Sequence, residues 1–261
     1  MGRRRIGTVK ALWRYPVKSM RGEALGRALV SERGIAGDRA WAVIDAGYGG
    51  AISARAFPRM LEARAFWEGD PAADAGARVR IEMPDGRVYD AGDAEAAAEI
   101  GAMLRRDVRF ERIRTAPLSP AERAAIMRGE APLPPRDFFD EDVLHLLTTG
   151  TLAHLRRLEP AADFDPRRFR PNILVETVSD AEGFVEDGWL EGTIEIGAEV
   201  RIAGARPALR CAMTIWPQDE LPHRPETLRA AWEHHQAYVG LFAAVAAGGT
   251  IWPGDAVALA D

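Results

Sequence analysis

"RIGTVKALWRYPV", Arg5–Val17, breaks its apolar residues into short runs, interrupted by Gly7 and closed by Pro16. Strands joined by tight connections read this way. The same texture continues through "ALGRALVSERGIAGDRAWAVID", Ala24–Asp45. "ARVRIEMPDGRVYDA", Ala77–Ala91, then reads as a hairpin. In it Val79, Ile81 and Met83 alternate, and Pro84-Asp85-Gly86 supplies the turn, Pro where φ is fixed and Gly where φ can be positive. Further strands are expected in "RFRPNILVE" from Pro171, "GTIEIGAEVRIAG" from Gly192, "ALRCAMTI" from Ala208, and "YVGLFAAVA" and "TIWPGDAVAL" on either side of Gly248-Gly249.

Helices are fewer. Asp93 is placed to cap one that runs to about Arg105, and Ser119-Pro120-Ala121-Glu122 forms a capping box. Leu152, Leu155 and Leu158 repeat every three residues behind Thr148-Thr149-Gly150-Thr151, which predicts a helix entered through a threonine cap. "PETLRAAWEHH" starts a short helix near Pro225, and proline-rich "GEAPLPPRDFF", Gly129–Phe139, is the candidate linker or long loop. The expected class is a β-rich α+β protein, a barrel with a few covering helices.

At 261 residues the chain can bury a sizeable core, and 47% hydrophobic with 28% charged residues is an ordinary globular balance. A net charge of -5 argues against nucleic acid as a partner. With neither an uncharged apolar signal region nor an apolar run of membrane-spanning length, a cytoplasmic location without membrane contact is expected. The single cysteine, Cys211, excludes an intrachain disulfide.

The 34 basic residues are all arginine save Lys10 and Lys18. A lysine retained against that bias marks a place for a compact point charge rather than a planar fork, although a solvated strand-end lysine reads the same way. Three other segments concentrate unusual residues. "GIAGDR" presents Asp38 and Arg39 at the mouth of a strand, or is simply a turn with a surface salt bridge. "RRFRPN" sets Arg167, Arg168, Arg170 and Asn172 before another strand, with two of its arginines expected on a solvated rim. "LRC" puts Arg210 beside the only thiol, where a nearby cation favours thiolate over an inert buried cysteine. His145 reads as a satisfied core histidine, and His234-His235 show no metal spacing. Zinc, iron–sulfur, hydrolase and nucleotide motifs are absent from the sequence.

In this order, "YPVKSMRGEAL", "ERGIAGDRAWAVID", "RFRPNILVE", "IGAEVRIAGARPALRC" and "GTIWPGDAVAL" resemble the MOSC superfamily, whose two-domain members include the amidoxime-reducing components and their bacterial relatives. The resemblance implies an N-terminal MOSC β-barrel domain over residues 1–116 and a MOSC core over 117–261. It implies a molybdenum cofactor, a molybdopterin, with Cys211 as metal ligand and catalytic residue. Lys18, Ser19, Arg39, Arg170, Asn172 and Arg210 would hold the pterin and its phosphate, and Thr149 and Thr151 would stand near the metal. Molybdenum ion binding and pyridoxal phosphate binding are expected with it. The implied activity is reduction of N-hydroxylated or N-oxide small molecules by oxygen-atom transfer, fed by an external electron-donor protein, because one cysteine cannot ligate an iron–sulfur cluster. A non-catalytic cofactor carrier, or a sulfur relay through a Cys211 persulfide, uses the same residues. One departure stands out: "CAMTIWPQDELPHRP" has Trp216-Pro217 where relatives commonly have Asp-Pro.

Overall fold

The computed structural model describes residues 2–113, 143–178 and 183–260. The expected boundary at 116/117, the capping box at Ser119–Glu122 and the proline-rich stretch Gly129–Phe139 lie outside the described residues.

The chain opens with β1 (Arg3–Arg14), β2 (Glu23–Leu25), β3 (Ala28–Ser31), β4 (Gly34–Ile35) and β5 (Trp41–Asp45). A sheet of β6 (Arg64–Glu68), β7 (Arg78–Glu82) and β8 (Val88–Asp90) follows, then α1 (Ala94–Leu104) and β9 (Val108–Arg112), which pairs with β5. After the described gap come β10 (Leu144–Thr148), α2 (Thr149–Leu158), α3 (Pro166–Phe169) and β11 (Ile173–Thr177). The remainder is β12 (Thr193–Ile196), β13 (Val200–Leu209), α4 (Pro225–His235), β14 (Tyr238–Ala247), β15 (Gly249–Ile251) and β16 (Ala256–Ala260).

Seven of these strands close a barrel in the order β11-β10-β14-β13-β12-β16-β1, and β1 pairs back onto β11. Closure leaves these staves without a free edge. The N-terminal strand is thus a stave of a barrel otherwise built from the second half of the chain. It bends round the barrel through bulges near Gly7 and Lys10. Gly7 is required by a close approach: a Cβ there would lie 2.3 Å from the Glu176 carbonyl oxygen on β11.

Ile6, Val9, Leu146, Ile173, Val175, Ile194, Ile202 and Leu241 fill the barrel. Strand periodicity sends the alternate residues Leu147 and Leu174 outward, where Leu152, Leu155, Phe169 and Ala230 from the covering helices bury them. A second core, with Val17, Met20, Val43, Met60, Ile81 and Ile100, lies under the β5–β9 and β6–β8 sheets, and Met213 and Trp216 pack against it from beyond the cysteine.

Helix ends follow the sequence closely. The Thr148 side chain accepts from the Thr151 N–H as the cap of α2, and α4 begins at Pro225. Asp93 occupies the N-cap of α1 but makes no side-chain cap hydrogen bond. The strand expected through "ALRCAMTI" ends at Leu209; Cys211 instead precedes a 3-10 turn, Ala212–Ile215. Among the described residues, no helix is long and apolar enough to cross a membrane.

Candidate functional site

β10 and β11 are parallel, linked by a crossover through α2 and α3, so both strands begin at the same end of the barrel. Asn172 stands there. Its N–H donates to the His145 carbonyl at 2.8 Å, and its Oδ1 accepts from the His145 N–H at 3.1 Å. Its Nδ2 donates to Asp38 Oδ2 at 2.9 Å, which brings the "GDR" loop to the same place. Asp38 Oδ1 accepts from the Tyr15 N–H at 2.7 Å, and Arg39 Nη1 pairs with Asp38 Oδ2. The pair expected at the surface is therefore internal: Asp38 is 4% exposed.

Tyr15 is the hub. Its hydroxyl donates to the Pro171 carbonyl at 3.1 Å, and its ring carries the Arg170 guanidinium at 4.1 Å and the Arg39 guanidinium at 4.9 Å. Arg170 Nη1 reaches the Met20 carbonyl at 2.6 Å, tying the start of β11 to the "VKSM" segment. In that segment the Lys18 N–H donates to the Trp41 carbonyl, and Ser19 Oγ accepts from the Ala54 N–H at 3.0 Å. Both side chains are buried. Ser19, Arg39 and Arg170 all take left-handed backbone conformations, with φ of 68°, 44° and 54°. For Arg170 this is the C-cap of α3; Ser19 and Arg39 have no helix to end, and such outliers gather at functional sites.

Arg210 closes the ring from β13. Its Nη2 donates to the Phe169 carbonyl at 2.7 Å, joining the residue before the thiol to the residue before Arg170. Cys211 itself is half-buried, and its carbonyl accepts from both the N–H and the hydroxyl of Thr214. The loop beyond is held by Arg168, which is fully buried. It donates to Asp163 Oδ2, to the Pro222 carbonyl at 2.8 Å and to the Thr214 and Trp216 carbonyls. Arg21 pairs with Asp219 on the same loop. Of the arginines in "RRFRPN", only Arg167 meets the expectation of a solvated rim.

Positive charge is concentrated here. Burial pushes Arg170 down to about 10, with Arg39 and Arg210 adding to the depression against Tyr15 and Asp38. Burial, then Arg210, likewise holds His145 well below its ordinary value. Its ring nitrogens lie 3.4 and 3.3 Å from the Arg170 and Val239 carbonyls, so it is a satisfied core histidine. The guanidiniums of Arg39, Arg170 and Arg210, close enough to depress one another, form an environment that favours an anion.

Thr149 and Thr151 are not brought to this cluster. They follow the far end of β10, beside Thr177, and Asn172 to Thr177 is about 16 Å of strand. Thr149 Oγ1 accepts from the Thr177 N–H, and the Thr151 hydroxyl is bonded to buried Glu186. Parallel pairing is the reason: the loop leaving β10 and the turn entering β11 emerge at opposite ends. Tyr15, Asp38 and Arg168 belong to this arrangement beside the residues that the family resemblance implies. Tyr15, Asp38 and Arg168 stand inside the motifs "YPVKS", "GDR" and "RRFRPN"; the burial of Arg168 alone has no signal, since a buried arginine reads in sequence like a solvated one.

A family model described as the MOSC N-terminal beta barrel domain matches residues 6–119, and one described as the MOSC domain matches residues 134–258. The chain is a two-domain MOSC protein. It is 27% identical to human mitochondrial amidoxime-reducing component 1, over 88% of this chain and 73% of that one. The mouse protein of the same name is 26% identical, over 85% and 70%. Among solved structures, the YUAD protein from Bacillus subtilis aligns over 99% of this chain and 97% of its own with a TM-score of 0.49 and 11% identity. In this MOSC chain the donor set fits a phosphorylated pterin–metal group: a half-buried soft thiol at Cys211, and beside it, through Arg210, a cluster of guanidiniums of which Arg170 is buried.

Proposed function

We propose that this chain binds a molybdenum cofactor and reduces N-hydroxylated or N-oxide small molecules. The observation that supports the reading best is the convergence of Arg39, Arg170 and Asn172 on Tyr15 and Asp38, with Arg210 linking that cluster to Cys211. Similarity to amidoxime-reducing components supports the substrate class.

Cys211 supplies the thiolate. Arg39, Arg170 and Arg210 neutralise phosphate charge, with Lys18 as the point charge, and Asn172 and Asp38 hold Arg39 in place. Ser19 fixes the turn that carries Lys18 by capping the Ala54 N–H. Arg168 and Arg21 hold the loop after the thiol, so Trp216 and its stacked neighbour His223 keep a fixed position five and twelve residues beyond Cys211. The cofactor, when bound, supplies the metal centre for the two-electron chemistry. The overall reaction takes an N–OH compound, two electrons and two protons to the N–H compound and water. The electrons come from a separate donor protein through a small, charge-steered contact.

The test is to purify the chain from a host that makes the cofactor and assay benzamidoxime reduction with a reduced viologen dye. Turnover is expected. Cyanide-releasable sulfur without turnover would instead identify a sulfur relay.

A further inference from the structure

A cavity of about 420 Å³ opens between β3, the β4 turn and the loop after β6. None of Lys18, Arg39, Arg170, Asn172, Arg210 or Cys211 lines it. Leu25, Leu29 and Ile35 form an aliphatic wall, Arg14 a polar side, and Arg27 and Asp70 complete the charged lining. The Arg27–Asp70 pair, at 3.1 Å, is exposed.

Arg14 is the informative residue. Its side chain is only 10% exposed, its Nε is bonded to Glu23 Oε1 at 2.9 Å and its Nη1 to the Ala36 carbonyl at 3.0 Å. Among the described residues its Nη2 has no hydrogen-bond partner. Glu23 is not part of the cavity lining and also accepts from the Trp67 N–H, so it fixes the guanidinium from behind. The charges themselves balance, Arg14 against Glu23 and Arg27 against Asp70, so what the cavity offers is an immobilised guanidinium with a spare donor beside the aliphatic Leu25, Leu29 and Ile35.

We propose that this cavity is a binding site for a small carboxylate with a short aliphatic body, its head on Arg14 Nη2 and its chain against Leu25, Leu29 and Ile35. A charge-assisted bond from a pre-positioned guanidinium suits an anionic head, and the volume falls within the range of small-ligand sites. The inference does not rest on the molybdenum reading.

The test is calorimetric titration of the full chain with hexanoate and, separately, with hexanamide. Saturable hexanoate binding is expected, with hexanamide weaker by about tenfold and Arg14→Gln weaker by a similar factor. Because Arg14→Gln removes two structural hydrogen bonds, Ala73→Trp is the companion variant: Ala73 is exposed and lines the cavity, so an indole there obstructs it without entering either core. Loss of hexanoate binding in folded Ala73→Trp is expected. Absence of saturable binding to the unmodified chain, or unchanged affinity in Ala73→Trp, overturns the proposal whatever Arg14→Gln does.

Discussion

The Arg170 guanidinium lies 4.1 Å from the centre of the Tyr15 ring, although 154 residues of sequence separate the two. Burial raises the Tyr15 hydroxyl above its ordinary range, so the phenol stays neutral and the ring serves as a cation platform. Tyr15→Phe keeps the platform and loses the bond to the Pro171 carbonyl, an expected cost of about 1 kcal/mol. Tyr15→Leu loses both and leaves two guanidiniums without their ring, at an expected cost of about 3 kcal/mol. Urea unfolding of the three proteins measures the difference; equal midpoints for the Phe and Leu variants would remove the ring from the cluster.

Asp38 is the carboxylate that Arg39, Asn172 and the Tyr15 N–H share. Asp38→Asn keeps the shape and removes the buried negative charge that Arg39, Asn172 and the Tyr15 N–H hold. A loss of about 3 kcal/mol is expected. Arg167→Gln, whose partly exposed guanidinium pairs with Asp165 and Glu220, is the control and should cost under about 1 kcal/mol. Similar unfolding midpoints for the two variants would contradict the buried role of Asp38.

Stability should fall in mild acid because of His145. Its folded value lies well below the ordinary 6.5, so the unfolded chain takes up a proton that the folded chain refuses. That contribution is complete above 6.5 and is lost as pH falls below it, by up to about 1.4 kcal/mol per pH unit. Glu186 acts in the opposite sense. Burial raises its carboxyl above the ordinary 4.5, so its contribution is present below 4.5 and lost as pH rises through the folded value. Unfolding curves taken between about pH 5 and 8 should flatten on the acid side in His145→Gln. An unchanged acid slope in that variant would assign it to other groups.

The strands and helix caps were legible because they are local: Gly and Pro punctuation, alternation in "RVRIEM", and the Thr148 cap each act within a few residues. The left-handed backbone at Ser19 and the depth of Arg168 were not, since both depend on segments distant in sequence. The parallel pairing of β10 and β11 was equally hidden, and it moves Thr149 and Thr151 away from Asn172. Cys211 could be singled out as the sole thiol, but the 3-10 turn that follows it is fixed by Arg168 reaching across from α3.

The two lysines give a paired comparison. Lys10 is exposed and bonded to Glu176, whereas Lys18 is buried behind the Tyr15-Pro16 entry. Lys18→Ala is expected to release molybdenum during gel filtration while Lys10→Ala retains it. Equal retention would remove Lys18 from the site.

The most direct measurement is the molybdenum content of the chain and of Cys211→Ser, both purified from a cofactor-producing host, with circular dichroism to confirm that each is folded. Near-stoichiometric molybdenum in the unmodified chain and loss of most of it in a folded serine variant is the expected result. A metal-free unmodified chain, or a serine variant that keeps its full complement, would contradict the assignment of Cys211 and its arginine cluster as the cofactor site.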